Sequence, residues 1–212
     1  MHRRDALRAA GGVAAAGLGS LAGCVVGRRS PPPLADSFED GTDAWTTDAA
    51  IGPEVPVEEF GWSISPSTER AHTGARSVEV FTEGDYDDGI AWLTRPIDTS
   101  GIDADVLRAS VHAWSESESF NVLRNLAVRI APEPPAAEED FPPPETVTTA
   151  DSPTAVGGLR QPLHRAAGWD EYRFAWRPRD LPDELFVSIG VAVVWEADAI
   201  HYIDDVRVEE VR

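Results

Sequence analysis

The 212-residue sequence predicts an all-β fold, an antiparallel β-sandwich, and three observations support this class. Short runs of alternating apolar and polar residues recur from residue 34 to the end, and no long run has the 3.6-residue period of an amphipathic helix. Turn-forming pairs such as Thr73-Gly74 and Asp88-Gly89 separate these runs. Residues 185–195 are apolar at even and odd positions alike, which is typical of a central strand buried on both faces. Many short strands at this spacing favour two packed sheets.

The strand predictions follow the chain from residue 77 onward. In the first run, Val78 and Val80 flank Glu79, so the two apolar side chains share one face. In residues 107–115, Ala109, Val111 and Ala113 likewise share a face. In chain order, the predicted strands are residues 77–82, 90–95, 107–115, 122–131, 171–176, 185–195 and 201–208. No internal repeat is visible, which excludes solenoids and propellers.

One segment, residues 132–168, interrupts this rhythm. It carries many of the prolines and an acidic cluster, with little periodicity; the cluster is Glu138, Glu139 and Asp140. We expect either a long surface excursion between strands or a partly disordered loop. The predicted sandwich domain spans residues 35–212 and contains this loop.

The first residues have the features of an export signal and a lipid anchor. Arg3 and Arg4 form a twin arginine ahead of a weakly hydrophobic run, which is too short to span a bilayer core of roughly 30 Å. The run ends at Leu21-Ala22-Gly23-Cys24, which resembles a lipobox whose Cys24 is lipid-modified. We expect residues 1–23 to be removed and residues 24–34 to tether the domain to the outer face of the cell membrane. The alternative is an amphipathic helix with a buried Cys.

Charge and cysteine content exclude several classes of protein. The chain has 18 basic and 37 acidic residues, a net charge of -19, and every basic residue is Arg. Such a surface repels phosphate backbones, so we expect no binding of nucleic acid. It resembles secreted proteins of salt-loving archaea, in which salt screens the repulsion; an acidic protein of a GC-rich mesophile is the alternative. The single Cys excludes an intrachain disulfide and a Cys-rich zinc site.

Three segments near the two ends of the predicted domain resemble a known family. They are Asp36-Ser37-Phe38-Glu39-Asp40-Gly41 with the following Trp45, then His72 to Val80, and finally Tyr202 to Val206. In their order and spacing they resemble the jelly-roll carbohydrate-binding modules of the galactose-binding-like superfamily. The resemblance covers residues 34–212 and implies a jelly roll that binds glycans or another cell-surface ligand without catalysis.

The same resemblance implies a structural calcium ion near the first and last strands. Calcium takes about six to eight oxygen ligands, which mix carboxylates with backbone carbonyls. The residues implied are Glu39 and Asp204 for carboxylates, and Ser37, His72 and Ala75 for backbone oxygens. Asp205 is the alternative to Asp204, because strand parity turns one of the two inward. The competing interpretation is that these acids cap turns or pair with Arg.

A sugar-binding surface is predicted on the strand at residues 107–115. Its polar face combines a flat aromatic ring with hydrogen-bonding groups, and it consists of Arg108, Ser110, His112 and Trp114. Asn125 and Arg129 on the next strand would continue this surface. The alternative places Trp114 in the core, which leaves Trp169 and Phe141 as the exposed aromatic residues.

The sequence does not predict catalysis. Glu196-Ala197-Asp198 resembles the start of the Glu-x-Asp-x-x-Glu strand of some jelly-roll glucanases, but His201 stands where the second Glu is needed. The His residues share no metal-ligand spacing, and no Gly-x-Ser-x-Gly elbow or Gly-rich phosphate loop occurs. We therefore predict a non-catalytic, lipid-anchored binding domain. The alternatives are a scaffold lipoprotein whose acidic loop binds a protein partner, and an extracellular glycoside hydrolase.

Overall fold

A computed structural model of the chain describes residues 31–52, 55–86, 88–116, 124–163, 168–192 and 198–211. Over these residues the chain forms two antiparallel six-stranded sheets that share one core, so the predicted all-β sandwich is confirmed. None of the described residues belongs to a helix long and apolar enough to cross a membrane. The strands are β1 (Leu34–Asp36), β2 (Thr46–Ala50), β3 (Trp62–Ser67), β4 (Ser77–Thr82), β5 (Ile90–Asp98), β6 (Val106–Ser115), β7 (Asn125–Ala131), β8 (Thr146–Val147), β9 (Gly157–Pro162), β10 (Asp170–Trp176), β11 (Glu184–Ala192) and β12 (Ala199–Val211).

The order of the strands brings the two ends of the domain together. The first sheet has the order β10-β6-β12-β4-β3, and β1 pairs with the later part of β12. Leu34 lies opposite Val208, and Asp36 lies opposite Val206. The second sheet has the order β2-β5-β11-β7-β9-β8. Consecutive strands β6 and β7 therefore belong to different sheets, which decides which side chains can share a surface.

The core lies between the two sheets and is built by alternation along the strands. In β6 the predicted apolar face is buried, and the residues of β11 that join it from the second sheet are Leu185, Val187, Ile189 and Val191. Each such aliphatic side chain contributes about 1.5–3 kcal/mol when fully buried. From Val187 to Ala192 the chain is buried on both faces, as predicted for a central strand. Residues 193–197 lie outside the described residues.

Residues 132–145 cover part of the outer face of the second sheet, and the strands β8 and β9 that follow extend the edge of that sheet. Phe141 packs edge-on against Trp92, with ring centroids 5.7 Å apart, and Ile90 and Ala127 join the same apolar cluster. The sequence pattern predicts a single loop here, but the segment contains a 3-10 turn at Glu138–Asp140 and the strands β8 and β9. Residues 132–145 are therefore an ordered cover on the sheet, and β8 and β9 are two of its strands.

Strand β9 escapes prediction because it begins with two glycines. A Cβ atom at Gly157 would lie 2.4 Å from Cγ of Trp176, and one at Gly158 would lie 2.2 Å from the carbonyl oxygen of Val128. Both positions therefore exclude the β-branched side chains that usually mark a strand.

Candidate functional site

The outer face of the first sheet presents the strand predicted to bind sugar. Along β6, Arg108 is exposed, and Ser110, His112 and Trp114 are half-buried, alternating with the core residues. His112 lies opposite residues of β10 and β12, and Trp114 lies opposite Tyr202 of β12. The β6 side chains thus occupy the middle of a surface formed by three strands.

Trp114 is the centre of a cluster of aromatic rings and one guanidinium group. The Cζ atom of Arg70 lies 4.0 Å from the centroid of the Trp114 ring and 5.7 Å from that of Tyr202. Trp169 meets Trp114 edge-on, with centroids 6.0 Å apart. Glu116 fixes the guanidinium through an ion pair of 2.8 Å. The Arg70 guanidinium therefore covers one face of the Trp114 ring, within a cluster whose other members are aromatic rings.

A cleft of about 410 Å³ opens on the same face. Its walls combine hydroxyl, imidazole, carboxylate and guanidinium groups, which suits a polar ligand rich in hydroxyl groups. The lining residues are Ala35, Asp36, Ser37, Ser110, His112, Glu171, Asp205, Val206 and Arg207.

An irregularity in β12 separates two adjacent acids. The pairing of β12 with β6 shifts register between Asp204 and Arg207, and Asp205 adopts a left-handed conformation with φ of 48°. Asp204 is fully buried, whereas Asp205 is half-buried and lines the cleft. Asp204 lies opposite His112 and is buried beneath the loop at residues 72–73, so the expectation that parity turns one of the two acids inward does not apply across this register shift.

Backbone N–H groups surround the buried carboxylate of Asp204. Its Oδ2 atom accepts hydrogen bonds from the N–H groups of His72 (2.7 Å) and Thr73 (3.1 Å), and Oδ1 accepts one from Asp205 (2.7 Å). Burial raises the pKa of Asp204 and the charge of Asp205 adds to this effect, while the three N–H bonds oppose it. These bonds fix the 72–73 backbone beside β12.

His72, His112 and Asp205 form a compact group at the edge of the cleft. The two imidazole rings stack with centroids 3.7 Å apart, and His72 Nδ1 lies 2.6 Å from Asp205 Oδ2. Burial lowers the pKa of His112, and the neighbouring His72 lowers it further, against the effect of nearby carboxylates. One ligand atom from each residue lies within 4.8 Å of the other two. The group therefore has the donors of a metal-binding site.

The residues implied for calcium converge only in part. Glu39 Oε1 accepts hydrogen bonds from the N–H groups of Ala75 and Arg76, each 2.8 Å long, so Glu39 and Asp204 hold the same loop. Gly74 has φ of +66°, and a Cβ there would lie 2.3 Å from Glu39 Oε1. Both carboxylates thus accept hydrogen bonds from backbone N–H groups of the same loop. Ser37 lines the cleft.

Two predicted ligand residues lie on the other side of the sandwich. Asn125 and Arg129 belong to β7 of the second sheet, and both are buried. The Arg129 guanidinium donates a hydrogen bond to the carbonyl oxygen of Glu133. They therefore do not extend the β6 surface, because the chain crosses between sheets after β6. Phe141 is buried on that second side, whereas Trp169 is half-buried beside Trp114.

The residues considered for catalysis form no acid–base pair among the described residues. Asp198 accepts a hydrogen bond of 3.2 Å from the backbone N–H of Gly84. His201 is fully buried, and burial lowers its pKa to about 3. An imidazole in that state remains neutral and out of reach of a substrate. Glu196 lies outside the described residues, as do Arg3, Arg4 and Cys24 of the predicted signal and anchor.

The fold has counterparts among solved structures, although no protein-family profile and no curated protein sequence matches the chain. A family 61 carbohydrate-binding module in complex with β-1,4-galactotriose is 12% identical, with a TM-score of 0.52, and the match covers 86% of this chain and 100% of that one. A β-sandwich carbohydrate-binding module studied for promiscuous specificity is 19% identical, with a TM-score of 0.54, and 82% and 61% are covered. The chain has the β-sandwich fold of a carbohydrate-binding module.

A third solved structure extends the likeness. A xylan-binding domain of family 22 is 15% identical, with a TM-score of 0.50, and the match covers 84% of this chain and 94% of that one. Identities this low show the shared fold and leave the ligand to be argued from the site.

Proposed function

We propose that this chain is a non-catalytic glycan-binding domain whose binding face is the outer surface of the first sheet. The observation that carries the proposal is the half-buried pair Trp114 and Trp169 on the face that bears the polar cleft. Two proteins of the same fold are described with β-1,4-galactotriose and as xylan-binding, which supports a polysaccharide as the class of ligand.

Trp114 supplies the stacking platform. Flat aromatic rings bury the apolar face of a sugar ring while leaving its hydroxyl groups free for hydrogen bonds. We expect a sugar to stack on Trp114 by displacing Arg70, whose ion pair with Glu116 is 35% exposed on both sides. An exposed ion pair contributes about 0–1 kcal/mol and an exposed cation–π contact about 0.5–1 kcal/mol, so the stacking of the sugar must outweigh both interactions of Arg70.

Polar groups of the cleft supply hydrogen bonds. His112, Glu171 and Arg207 line it together with the hydroxyl group of Ser110. These side chains donate to and accept from hydroxyl groups on opposite sides of a ligand. Arg108 lies at the exposed rim and pairs with Glu209 at 3.2 Å, so its contribution to affinity should be small.

Polysaccharide pull-down and glycan-array binding at molar salt test this function. Trp114→Ala and Trp169→Ala should each weaken binding at least tenfold, about 1.4 kcal/mol. Trp62→Ala is the matched control, because Trp62 is a half-buried indole in the separate cluster around Phe60. No glycan binding by the folded wild type, together with specific capture of another surface protein, would instead support the scaffold alternative.

The calcium ion remains a proposal, supported by the convergence of Glu39 and Asp204 on the loop at residues 72–76. If calcium binds there, chelation lowers the melting temperature of the wild type and hardly affects Asp204→Ala. If the amide hydrogen bonds alone hold the loop, chelation leaves the wild type unchanged.

We also propose that Cys24 anchors the domain to the outer face of the cell membrane after export. The support is the sequence Leu21-Ala22-Gly23-Cys24 behind Arg3 and Arg4. Cys24→Ser should release the protein into the medium, and retention of this variant in the membrane fraction would contradict the anchor.

A further inference from the structure

We propose that His72, His112 and Asp205 bind a divalent first-row transition-metal ion such as Zn²⁺ at the edge of the cleft. The three side chains come from the loop before β4, from β6 and from β12, and one ligand atom of each lies within 4.8 Å of the others. This site differs from the implied calcium site because it uses the imidazole rings of His72 and His112, whereas the calcium site would take only the backbone oxygen of His72.

The donor set selects the class of metal. Two imidazole nitrogens and one carboxylate oxygen are ligands that zinc accepts at about 2.0–2.2 Å, usually with water in a fourth position. Calcium requires oxygen ligands and is disfavoured by the two imidazoles. The same donors bind Co²⁺ and Ni²⁺, which gives the site a spectroscopic probe.

Rotations of these side chains would close the site around an ion. Ligand atoms around a tetrahedral zinc ion lie about 3.3 Å apart. His72 Nδ1 and Asp205 Oδ2 share a hydrogen bond of 2.6 Å, so a bound ion would replace this bond and the two atoms would move slightly apart; the two rings are 3.7 Å apart with an interplanar angle of 13°. The rings must tilt so that their lone pairs converge on the ion. His72 is exposed, and the other two residues are half-buried, so this tilt meets little resistance.

The surroundings hold two of the ligands in place. Thr73 Oγ1 donates a hydrogen bond of 2.7 Å to Asp205 Oδ1, which leaves Oδ2 directed to His72. The backbone N–H of His72 donates to the buried Asp204 carboxylate. Such outer partners of metal ligands orient them and strengthen binding. Asp205 adopts a left-handed φ of 48°, which Asp tolerates better than most residues, in the β12 irregularity that places its carboxylate at the cleft.

The cleft leaves a coordination position open. His112 and Asp205 line it together with Glu171 and Ser110. Three protein ligands and an open fourth position are typical of zinc sites that exchange water. A bound ion would therefore face the cleft proposed to hold the glycan. Metal binding can still be measured without any glycan, so the two proposals are tested separately.

Isothermal titration of the untagged full-length chain with Zn²⁺ tests the proposal. We expect one ion per chain, at least tenfold weaker binding in His72→Gln, His112→Gln and Asp205→Asn, and unchanged binding in Asp103→Asn, an exposed acid used as control. Thr73→Val keeps the side-chain volume and removes the hydroxyl group, so it should weaken binding by about tenfold.

Co²⁺ absorption provides the second measurement. The wild type should give the intense visible bands of a four-coordinate ion, and the His variants should lose them while keeping the circular dichroism of the metal-free fold. Binding of Zn²⁺ with equal affinity by the wild type and His112→Gln would overturn the proposal. So would a wild type that binds no Zn²⁺, or Ca²⁺ that displaces Zn²⁺ at equal concentration.

Discussion

The two outer faces of the sandwich carry similar residue types but differ in how far other parts of the chain cover them. On the second sheet, Trp92 is 2% exposed beneath Phe141, and Arg160 is paired with Glu138 at 2.6 Å. On the first sheet, Trp114 is half-buried, and an open cleft lies on the same face of the sheet. Residues 132–145 cover Trp92 on the second sheet, whereas Trp114 and Trp169 on the first face keep partial access to solvent.

This difference shows that a side chain's role here depends on what covers its strand. Trp92 and Trp114 both stand on long strands, and neither position has a sequence signature of its own. The cover removes the rings of the second sheet from solvent and turns them into core. Among the described residues, we therefore argue a binding role for the first face. Truncating an aromatic side chain there should lower the free energy of unfolding less than truncating one on the second face.

Removing the cover residue Phe141 should have the largest effect. Phe141→Ala deletes a ring that is 4% exposed and should lower the free energy of unfolding by about 3–5 kcal/mol. Trp114→Ala should cost less than half as much, because its ring is half-buried. Urea unfolding of both variants measures the contrast, and equal losses would mean that the two faces do not differ as described.

Tight packing in the core between the two sheets gives the next largest effect. Gly157→Ala forces a methyl group to 2.4 Å from the Trp176 ring and should cost about 1–3 kcal/mol. Gly101→Ala is the matched control, because a Cβ atom at Gly101 meets nothing within 4 Å. Thermal unfolding of the two variants distinguishes them, and a neutral Gly157→Ala would show that β9 has room to move away.

Periodicity predicted the strands that have alternating side chains. The pattern at residues 77–82 coincides with β4, and residues 107–115 coincide with β6 except for its first residue. It missed β9, where close packing against Trp176 and β7 requires glycine in place of the usual strand residues. It also missed β2 and β3, whose side chains are mostly exposed or half-buried and lack an apolar face.

The candidate site was predictable only one strand at a time. Alternation in β6 correctly separated His112 and Trp114 from the core. No spacing along the chain connects His72 with Asp205, which are 133 residues apart and meet through the irregularity in β12. The placement of Asn125 on the opposite side follows from the crossover between sheets, which local sequence does not encode.

Lowering the pH should reduce the free energy of unfolding through the buried His201. Burial lowers the pKa of His201 from 6.5 to about 3, so between these values the unfolded chain binds a proton that the folded chain does not. This group alone should lower the free energy of unfolding by about 1.4 kcal/mol per pH unit as pH falls below about 6. Denaturant unfolding at pH 6 and pH 5 should show a smaller decrease in His201→Leu than in wild type. An unchanged slope would contradict the assignment.

The smallest effect is expected at the rim of the open face. The ion pair of Arg108 with Glu209 is 50% and 38% exposed at 3.2 Å, so solvent screens it. Arg108→Gln should change the free energy of unfolding by less than about 0.5 kcal/mol, and molar salt should remove even that. Arg160→Gln provides the comparison under the cover, because its pair with Glu138 is only 10% and 23% exposed. Breaking a charge-assisted hydrogen bond there should cost about 1.5–3 kcal/mol, and the loss should persist in salt. Equal salt-sensitive losses in the two variants would show that solvent reaches both faces alike.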